Sequence, residues 1–298
     1  MIEIIQPGPL TTVQDAGRAG WAHLGVPAAG PADWISHHLA NRLVGNPDGA
    51  AALETTLHGP TLRCDSALTL AVLGATVRVE GAPAPAAESI AVRPGATVEI
   101  GLTTGVRGYV AVAGGLQIEA TLGSRSADTL SGLGPAPLAP GEVLSTVDQP
   151  APRRMLDPRW LPQRDGVVRV VPGPRADWFT EASRRAFYAK PYTALSDSDR
   201  AGVRMVGPKL VRARRGELPT EGMAAGAIQV PPAGTPIVLL ANHGATGGYP
   251  VIGVVARADL PVLGQLRPGQ GVRFVPVDRD AALAAYAELR GALERAIR

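Results

Sequence analysis

The sequence is poor in cysteine and in aromatic residues, and each scarcity limits what the protein can be. Cys64 is the one cysteine among 298 residues, which excludes intrachain disulfides and multi-cysteine metal sites. Such a composition is typical of a reducing compartment, so we expect a cytoplasmic protein in which Cys64 is a small buried hydrophobe. Phe, Trp and Tyr make up 4% of the residues, so the core is expected to consist of Val, Leu, Ile and Ala.

Long apolar runs and clustered basic residues are also missing. No segment approaches the ~18 apolar residues that cross a bilayer, and the start of the chain lacks a basic signal-peptide region, so we expect no membrane association. The net charge is +3, and the only two lysines are Lys190 and Lys209. Because the arginines are dispersed and form no basic stripe, we expect no nucleic-acid binding.

Several common catalytic motifs do not occur in the chain. There is no Gly-x-x-x-x-Gly-Lys-Ser/Thr phosphate loop, no Gly-x-Ser-x-Gly nucleophile elbow and no His-Glu-x-x-His helix. Neither lysine follows a methionine as in a biotin attachment site, so biotin is not expected on this chain. The function must therefore be sought in other patterns.

Short apolar segments with alternating polarity predict strands along most of the chain. They are rich in Val and Ile and are separated by turn sequences such as Arg93-Pro94-Gly95. We predict a mainly β protein with a few helices, arranged as a barrel or a sandwich. The predicted strands are Leu68 to Val79, Ala96 to Leu102, Tyr109 to Val112, Val167 to Val171, Ile237 to Leu240, Val251 to Val255 and Val272 to Val277.

Three segments predict helices. The first has Pro31 in its first turn and stops at Gly45. The second runs from about Asp177 to Ala189 and must end before the proline at position 191. The third has Asp280 as its N-cap and an apolar stripe that continues to the C-terminus.

The segment 148–165 is rich in Pro and Arg, lacks periodicity and is the predicted linker. It divides the chain into two β-rich subdomains, residues 1–150 and residues 151–298, the second ending in a helix. Similar short sequences occur in the same order in both halves, for example Ile4 to Pro9 and Val170 to Pro174. Duplication of a β-rich unit and recurrent turn sequences explain this equally well.

Glycine-rich loops in the first half carry clustered polar residues. In the loop from Leu10 to Gly30, Asp15 and Arg18 either position a polar ligand or pair with each other inside an internally bonded loop, and His23 is a further candidate contact. A second loop offers Ser124 and Arg125 to an anionic or amide ligand. Capping of a helix is an equally good interpretation of this second loop.

The second half has two such loops. In the segment 196–204, Asp199 is a candidate general base or ligand of a metal–nucleotide and Arg200 a candidate phosphate contact, although a solvated turn is an equally good interpretation. The segment 242–250 follows a predicted strand and combines glycine amides with the imidazole of His243, a candidate acid or base. Glu221 and Asp259 flank this loop in the sequence.

Short motifs spread along nearly the whole chain carry a family resemblance. They are Pro7 to Arg18, His23 to Pro27, Leu39 to Pro47, Ala52 to Glu54, Gly114-Gly115, Gly123 to Ser126, Ser198 to Arg200, Gly207-Pro208, Gly222 to Pro231, Thr246 to Pro250, Ala258 to Pro261 and Gln265 to Gly269. The chain resembles the biotin-dependent carboxyltransferase family, also called allophanate hydrolase subunit 2. That family includes the C component of the three-component 5-oxoprolinase, the KipI antagonist KipA and the carboxyltransferase region of urea carboxylase.

The resemblance implies a fold of two cyclophilin-like β-barrel halves and a partner, a KipI-like allophanate hydrolase subunit 1. With that partner and a LamB/YcsF-like third subunit, such a chain would open 5-oxoproline, or an allophanate-type amide, with ATP and Mg²⁺, and it would be inactive alone. We expect catalytic roles for Asp15, Asp199 and His243, and no metal site on the chain. The expected ligand contacts are Arg18, His23, Ser124, Arg125, Arg200, Glu221, Thr246, Gly247, Gly248, Tyr249 and Asp259.

The chain departs from the family pattern at two motifs. It reads Asn-His-Gly-Ala-Thr at 242–246, where the family usually has Asp-Arg/His-Gln-Thr-Thr, and Ala201-Gly202 where the family has Met-Gly. Another substrate or a weaker activity is therefore an alternative, as is a non-catalytic regulatory partner that antagonises a KipI-like protein. A urea carboxylase-type carboxyltransferase is disfavoured, because these 298 residues contain no biotin-carrier or biotin-carboxylase region, although a separate carrier could supply one.

Overall fold

A computed structural model of the chain describes residues 1–147, 149, 151–157, 166–214 and 216–297. The chain forms two compact units, one of residues 1–19, 29–162 and 292–298 and the other of residues 20–28 and 163–291. Most of the predicted linker, 148–165, lies outside the described residues. Its described part, 151–157, belongs to the first unit, where Met155 bridges Glu88 and Leu156 bridges Ile297.

The first unit is built on one sheet, for which the described residues provide ten strands. Its main path runs β10-β1-β4-β9-β3-β2, with β5, β6, β7 and β8 joined to its side. The strands are β1 (Ile2–Gln6), β2 (Thr11–Gln14), β3 (Ala52–His58), β4 (Thr61–Cys64), β5 (Leu68–Leu73), β6 (Ala75–Val79), β7 (Ala82–Ala84), β8 (Ser89–Val92), β9 (Thr97–Val112) and β10 (Val143–Leu144).

Strand β9 organises this sheet because it pairs with four neighbours. Its first half pairs with β4 and β6 and its second half with β3 and β5, and register shifts in β3 and β6 bend the sheet around it. Sequence patterning predicted two strands here, separated by a polar and glycine-containing stretch. The structure corrects this to one strand: glycine at position 101 allows an approach that a Cβ would block, 2.3 Å from Thr76 Oγ1.

The core of the first unit is aliphatic, as predicted. Val13, Leu53, Leu62, Val98 and Val110 are among its fully buried members. The single cysteine is buried beside them, and burial raises the pKa of its thiol to about 11. The prediction of a small buried hydrophobe is therefore confirmed.

The second unit contains a closed barrel of seven strands among the described residues. Their order is β11-β18-β15-β16-β13-β12-β19, and a parallel pairing of β11 with β19 closes the ring. A separate two-stranded ribbon joins β14 to β17. The strands are β11 (Val167–Pro172), β12 (Tyr192–Ala194), β13 (Gly202–Val206), β14 (Glu221–Gly222), β15 (Ala227–Gln229), β16 (Ile237–Leu239), β17 (Thr246–Gly247), β18 (Val251–Val255) and β19 (Gly271–Pro276).

Aromatic rings fill the core of the barrel, which corrects the expectation of a purely aliphatic interior. Phe187 stacks on Phe274 with ring centroids 4.8 Å apart, and Tyr192 lies 5.7 Å and 5.8 Å from the two rings. All three are fully buried. Three of the twelve aromatic residues therefore pack together among the aliphatic side chains of this core, where each buries a large area.

The helices are α1 (Trp34–Leu43), α2 (Glu181–Ala189), α3 (Leu260–Gly264) and α4 (Arg279–Glu294). The mainly β prediction with a few helices is confirmed, but the helix starts need correction. Helix α1 starts after Asp33, which accepts from Ser36 N at 3.0 Å, so Pro31 lies outside it. Helix α2 starts after Thr180, and Asp177 belongs to a preceding short 3₁₀ turn.

Helix α4 also differs from its prediction at both ends. Asp278 Oδ1 accepts from Ala281 N at 2.7 Å, so this residue acts as the cap and Asp280 lies in the first turn. The helix stops at Glu294 instead of reaching the C-terminus. Helix α3 was not predicted at all, because five residues are too few for a periodic pattern. In the described part of the chain no helix has the length and apolarity to cross a membrane.

A buried polar network fixes the entry to α1. Glu54 Oε2 accepts from Ala32 N at 2.9 Å and from Tyr109 Oη at 2.7 Å, while the same tyrosine oxygen accepts from Asp33 N at 2.8 Å. Arg107 Nε lies 3.3 Å from Glu54 Oε1. Burial and the neighbouring Glu54 and Asp33 carboxylates hold the pKa of Tyr109 well above its ordinary value. The tyrosine therefore stays protonated and bridges the sheet to the helix cap.

This network generates a stability prediction. Tyr109→Phe removes one donor and one acceptor while keeping the ring, and it leaves the Asp33 N–H and Glu54 short of a buried partner. We expect a loss of about 1–3 kcal/mol in the free energy of unfolding, measured by urea denaturation. Tyr188→Phe, which removes a half-buried hydroxyl in the second unit, is the control, expected to change stability by less than ~0.5 kcal/mol. Equal stabilities of the two variants would contradict this account.

Candidate functional site

Asp15 is the centre of a compact polar cluster in the first unit. The residue is 7% exposed and stands directly after β2. Its Oδ1 accepts from Gly17 N at 2.9 Å, Ser124 Oγ at 2.5 Å and Ser126 Oγ at 2.7 Å, and its Oδ2 accepts from Arg125 N at 2.6 Å. The two predicted loops of the first half therefore meet at one carboxylate.

The cluster keeps Asp15 ionised. Burial alone would raise the pKa of its carboxyl, but hydrogen bonds from Arg125 N–H, the two serine hydroxyls and Gly17 N–H outweigh burial and lower the pKa below its ordinary value. Ser126 Oγ also accepts from Asp15 N at 2.9 Å, and Ser124 Oγ accepts from Ser126 N at 3.0 Å. The main chain and side chains of both loops are thus locked to each other.

Arg18 lies beside this cluster and does not pair with Asp15. Its Nη2 donates to Ser126 O and its Nε lies 3.5 Å from Thr121 O. The side chain is 2% exposed. The sequence left open ligand positioning or an internal Asp–Arg pair, and within the described residues the structure does not contain that pair.

Arg125 contributes mainly through its backbone amide. Its side-chain Nε donates to Ile118 O at 2.6 Å, so the guanidinium is anchored within the same unit. His23 lies elsewhere, in an exposed 3₁₀ turn (Ala22–Leu24) of the second unit, with Nδ1 3.0 Å from Gly20 O and its ring stacked on Trp21.

A second polar group surrounds the start of the 242–250 loop in the second unit. Arg200 and Asn242 are buried, and Arg200 Nη2 donates to Asn242 Oδ1 at 3.0 Å. His243 is also buried, with Nδ1 2.7 Å from Gly244 O. Because a carbonyl only accepts, Nδ1 carries a proton and donates it to this oxygen.

Asp199 occupies a turn, which matches the solvated-turn interpretation of its segment. Its Oδ1 accepts from Ala201 N at 2.7 Å and from Gly202 N at 3.1 Å, and the residue is exposed. Ser198 Oγ donates to Leu195 O at 2.8 Å. These bonds hold the tight entry into β13, and a catalytic role for Asp199 stays a prediction.

The glycine-rich part of the loop forms the β14–β17 ribbon. Glu221 pairs with Gly247 and Gly222 with Thr246, and the Glu221 side chain forms an ion pair with Arg175. A Cβ at position 247 would lie 2.3 Å from Gln229 Nε2, so a side chain here would force Gln229 to move.

The end of the loop is open to solvent. Gly248 is exposed, and the Tyr249 side chain is 45% exposed. Exposed positions of this kind can meet a ligand or a partner.

Asp259 is engaged away from this loop. Its Oδ2 accepts from Arg169 N at 2.7 Å and Nε at 2.9 Å, and its Oδ1 accepts from Arg169 Nη2 at 2.6 Å. This bidentate ion pair joins the start of α3 to β11. These bonds give Asp259 a structural role. Contact of Asp259 with a ligand stays a prediction.

Sequence reasoning considered Ser126 only as a helix cap and gave no role to Glu54, and the structure has no helix at Ser126. Ser126 connects the members of the first cluster. Its hydroxyl donates to Asp15 Oδ1 and accepts from Asp15 N–H, and its carbonyl oxygen accepts from Arg18 Nη2. Glu54 was recognisable only as a charged residue inside an apolar strand. Among the described residues, no group of three or more His, Cys, Asp or Glu could hold a metal ion.

Comparison with known proteins identifies the family. The sequence model described as carboxyltransferase domain, subdomain A and B, matches residues 24–276, and the chain therefore belongs to this family. The resemblance predicted from the motifs is confirmed.

Relatives within this family differ in length and in name. The chain is 34% identical to the C component of 5-oxoprolinase from Escherichia coli, covering 96% of this chain and 94% of that protein. It is 31% identical to the K. lactis urea amidolyase structure, with a TM-score of 0.93 over 99% of this chain but only 20% of that one. It also matches the solved structure of TTHA0988, at 38% identity and a TM-score of 0.84, over 92% of this chain and 55% of that one.

The Asp15 cluster generates a pH-dependent prediction. Because the folded-state pKa of Asp15 lies below its ordinary value of 3.8, the ionised carboxylate contributes stability that is complete above that value and is lost as the pH falls through the lower folded pKa. Asp15→Asn is expected to cost about 1.5–3 kcal/mol at pH 7 and less below pH ~3.8.

Urea denaturation from pH 7 down to pH 2.5 measures this difference. Asp65→Asn, which changes an exposed carboxylate in the same unit, is the matched control and is expected to follow the wild type closely. A stability gap between the wild type and Asp15→Asn that widens as the pH falls would contradict the account.

Proposed function

We propose that this chain is one component of an ATP-dependent hydrolase that opens the C–N bond of a cyclic amide of the 5-oxoproline or allophanate type. The observation that carries the proposal is the match, along 94% of its length, to a protein named as a subunit of 5-oxoprolinase. A second protein of that name, from Haemophilus influenzae, matches along 93% of its length at 32% identity.

The reaction explains why ATP is required. A lactam is a poor electrophile, because nitrogen donates into the carbonyl and is a poor leaving group. Transfer of a phosphoryl group from ATP to the lactam oxygen makes the ring carbon a better electrophile. Water then adds to that carbon, and the ring nitrogen takes up a proton and leaves as the C–N bond breaks. A second water hydrolyses the resulting acyl phosphate to a carboxylate and inorganic phosphate. Mg²⁺ enters as the complex with the ATP phosphates.

Residues of this chain supply two polar surfaces for such a substrate. The Asp15 cluster is rigid and fully bonded, so its role is to hold Ser124, Arg125 and Arg18 in place. His243 shares the 242–250 segment with the glycine ribbon and the exposed Tyr249, and its Nε2 would act as a proton acceptor. Neither surface contains a complete set of catalytic groups, which is consistent with a chain that is inactive alone.

The proposed partner is a KipI-like allophanate hydrolase subunit 1, with a LamB/YcsF-like third subunit. Support comes from the word "subunit" in the names of the two 5-oxoprolinase relatives and from the motif resemblance.

A urea carboxylase-type carboxyltransferase is the second candidate, favoured by the TM-score of 0.93 to the K. lactis urea amidolyase. A regulatory partner without turnover is the third, favoured by the departures at 242–246.

Reconstitution tests the proposal. The purified chain, mixed with its KipI-like and LamB/YcsF-like partners, is expected to release glutamate from 5-oxoproline only when ATP is present, and omission of any component is expected to abolish release. Glutamate is measured by chromatography. Urea-dependent bicarbonate chemistry with an added biotin carrier, or no turnover where a related three-subunit set is active, would overturn the hydrolase proposal.

A variant that restores the family pattern at 242–246 tests whether this segment limits the activity. Gly244 has no positive φ, and a Cβ there would meet only Thr246 O at 3.5 Å, so a side chain fits. If this segment limits turnover, Asn242→Asp combined with Gly244→Gln and Ala245→Thr is expected to raise kcat of the reconstituted mixture at least ~10-fold. The matched control is Ala136→Thr, an exposed position in the first unit, with no expected effect. An unchanged or lower kcat in the triple variant would show that the departures are not the limit.

A further inference from the structure

The Arg18 guanidinium is buried with unused hydrogen-bonding capacity. Two of its nitrogens donate to main-chain carbonyls, Nε to Thr121 O and Nη2 to Ser126 O. Nη1 is buried and has no hydrogen-bond partner in the part of the chain that the structure describes. Burying an unpaired guanidinium is costly, and proteins normally offset that cost with a carboxylate or a ligand.

Asp15, the carboxylate at the centre of the adjacent cluster, already has its hydrogen-bonding capacity in use. Its two oxygens accept four hydrogen bonds, from Gly17 N, Ser124 Oγ, Ser126 Oγ and Arg125 N. The hydroxyls of Ser124 and Ser126 are also oriented toward Asp15 by these hydrogen bonds. The fold therefore holds Arg18 in place without neutralising it.

The remaining donors have a defined shape. An arginine has five N–H groups in one plane, and the two carbonyl contacts use the edge formed by Nε and Nη2. The opposite edge, made by Nη1 and the second hydrogen of Nη2, keeps the two parallel donors of a fork. A fork of this kind matches the two oxygens of a carboxylate.

The main chain of Gly134 packs closely against Arg18. Gly134 has φ +79°, and a Cβ there would lie 3.0 Å from Arg18 Nη2 and 2.2 Å from Ser126 O, so only glycine allows this approach. The surrounding loop, 129–137, is largely exposed, with Leu130 at 65%. Because this loop separates Arg18 from solvent, a ligand of Arg18 has to enter by displacing it.

We propose that Arg18 is a carboxylate-binding residue, which takes a small monoanionic ligand through its Nη1 edge. The identity of the ligand rests on the proposed function: for a cyclic-amide hydrolase it is the carboxylate carried by the substrate ring. A monoanion fits better than a polyphosphate, because the ionised Asp15 in the same cluster repels a more highly charged group. The cluster then orients the substrate by its carboxylate and leaves the amide free to react.

Titration calorimetry of the 298-residue chain without partners or ATP tests this. The ligands are 5-oxoproline, 2-pyrrolidone, which is the same ring without the carboxylate, inorganic phosphate and ATP. We expect 5-oxoproline to bind at least ~10-fold more tightly than 2-pyrrolidone, the factor that a lost charged hydrogen bond produces. Arg18→Lys keeps the charge but loses the fork, and it is expected to weaken 5-oxoproline binding at least ~10-fold while leaving 2-pyrrolidone unchanged.

Controls separate binding from folding. Arg93→Met removes an exposed arginine of the same unit and is expected to leave all affinities unchanged. Arg18→Met is expected to abolish the preference for 5-oxoproline over 2-pyrrolidone, provided that its far-UV circular dichroism matches the wild type. If Arg18→Met does not fold, Arg18→Lys and the ligand pair on the wild type decide the question.

Three results would overturn the inference: equal affinities for the two rings, an unchanged 5-oxoproline affinity in a folded Arg18 variant, or phosphate or ATP binding more tightly than the carboxylate through Arg18. Failure of the proposed function is distinguishable. An inactive reconstituted complex with intact Arg18-dependent binding of 5-oxoproline contradicts the hydrolase and not the site. An active complex with Arg18-independent binding contradicts the site alone.

Discussion

The four hydrogen bonds to the Asp15 carboxylate are the constraint on which the candidate site depends. They join the end of β2 to the 124–126 loop, two segments more than a hundred residues apart in the sequence. Because serine hydroxyls and main-chain amides satisfy the charge, no basic side chain is needed for it. Arg18 is positioned by two carbonyl oxygens, and its Nη1 is available to the proposed ligand.

In the second unit, the partners of the arginines differ from those of Arg18. Arg169 closes on Asp259 with three hydrogen bonds, and Arg175 pairs with Glu221, so those arginines serve the fold. Arg200 donates to the neutral Asn242 where the family pattern has an aspartate. Asparagine carries no charge where the expected pattern has a carboxylate, so the 242–246 segment is where this chain differs in charge from that pattern.

Sequence patterning predicted the β-rich class and strands such as Val251–Val255, because short runs of β-branched Val and Ile favour the extended conformation. It failed where tertiary contacts decide. The stretch between the two predicted parts of β9 is polar and glycine-containing, and only its pairing with β3 and β6 makes it a strand. Helix starts were misplaced by two to four residues. Asp278 competes with Asp280 and Thr180 with Asp177 as caps of similar chemistry, whereas Pro31 suggested a start ahead of the actual cap, Asp33.

Candidate residues were predicted by loop chemistry, but their partners were not. Nothing in the sequence indicates that Asp15 binds Ser124 and Ser126 instead of Arg18, since that choice depends on how the two loops meet.

The account as a whole is tested most directly by measuring ADP and glutamate together in the three-subunit mixture supplied with 5-oxoproline. We predict one ADP for each glutamate, both dependent on this chain. ADP formation without glutamate, or glutamate formation without this chain, would contradict the assignment of the chain to the hydrolase.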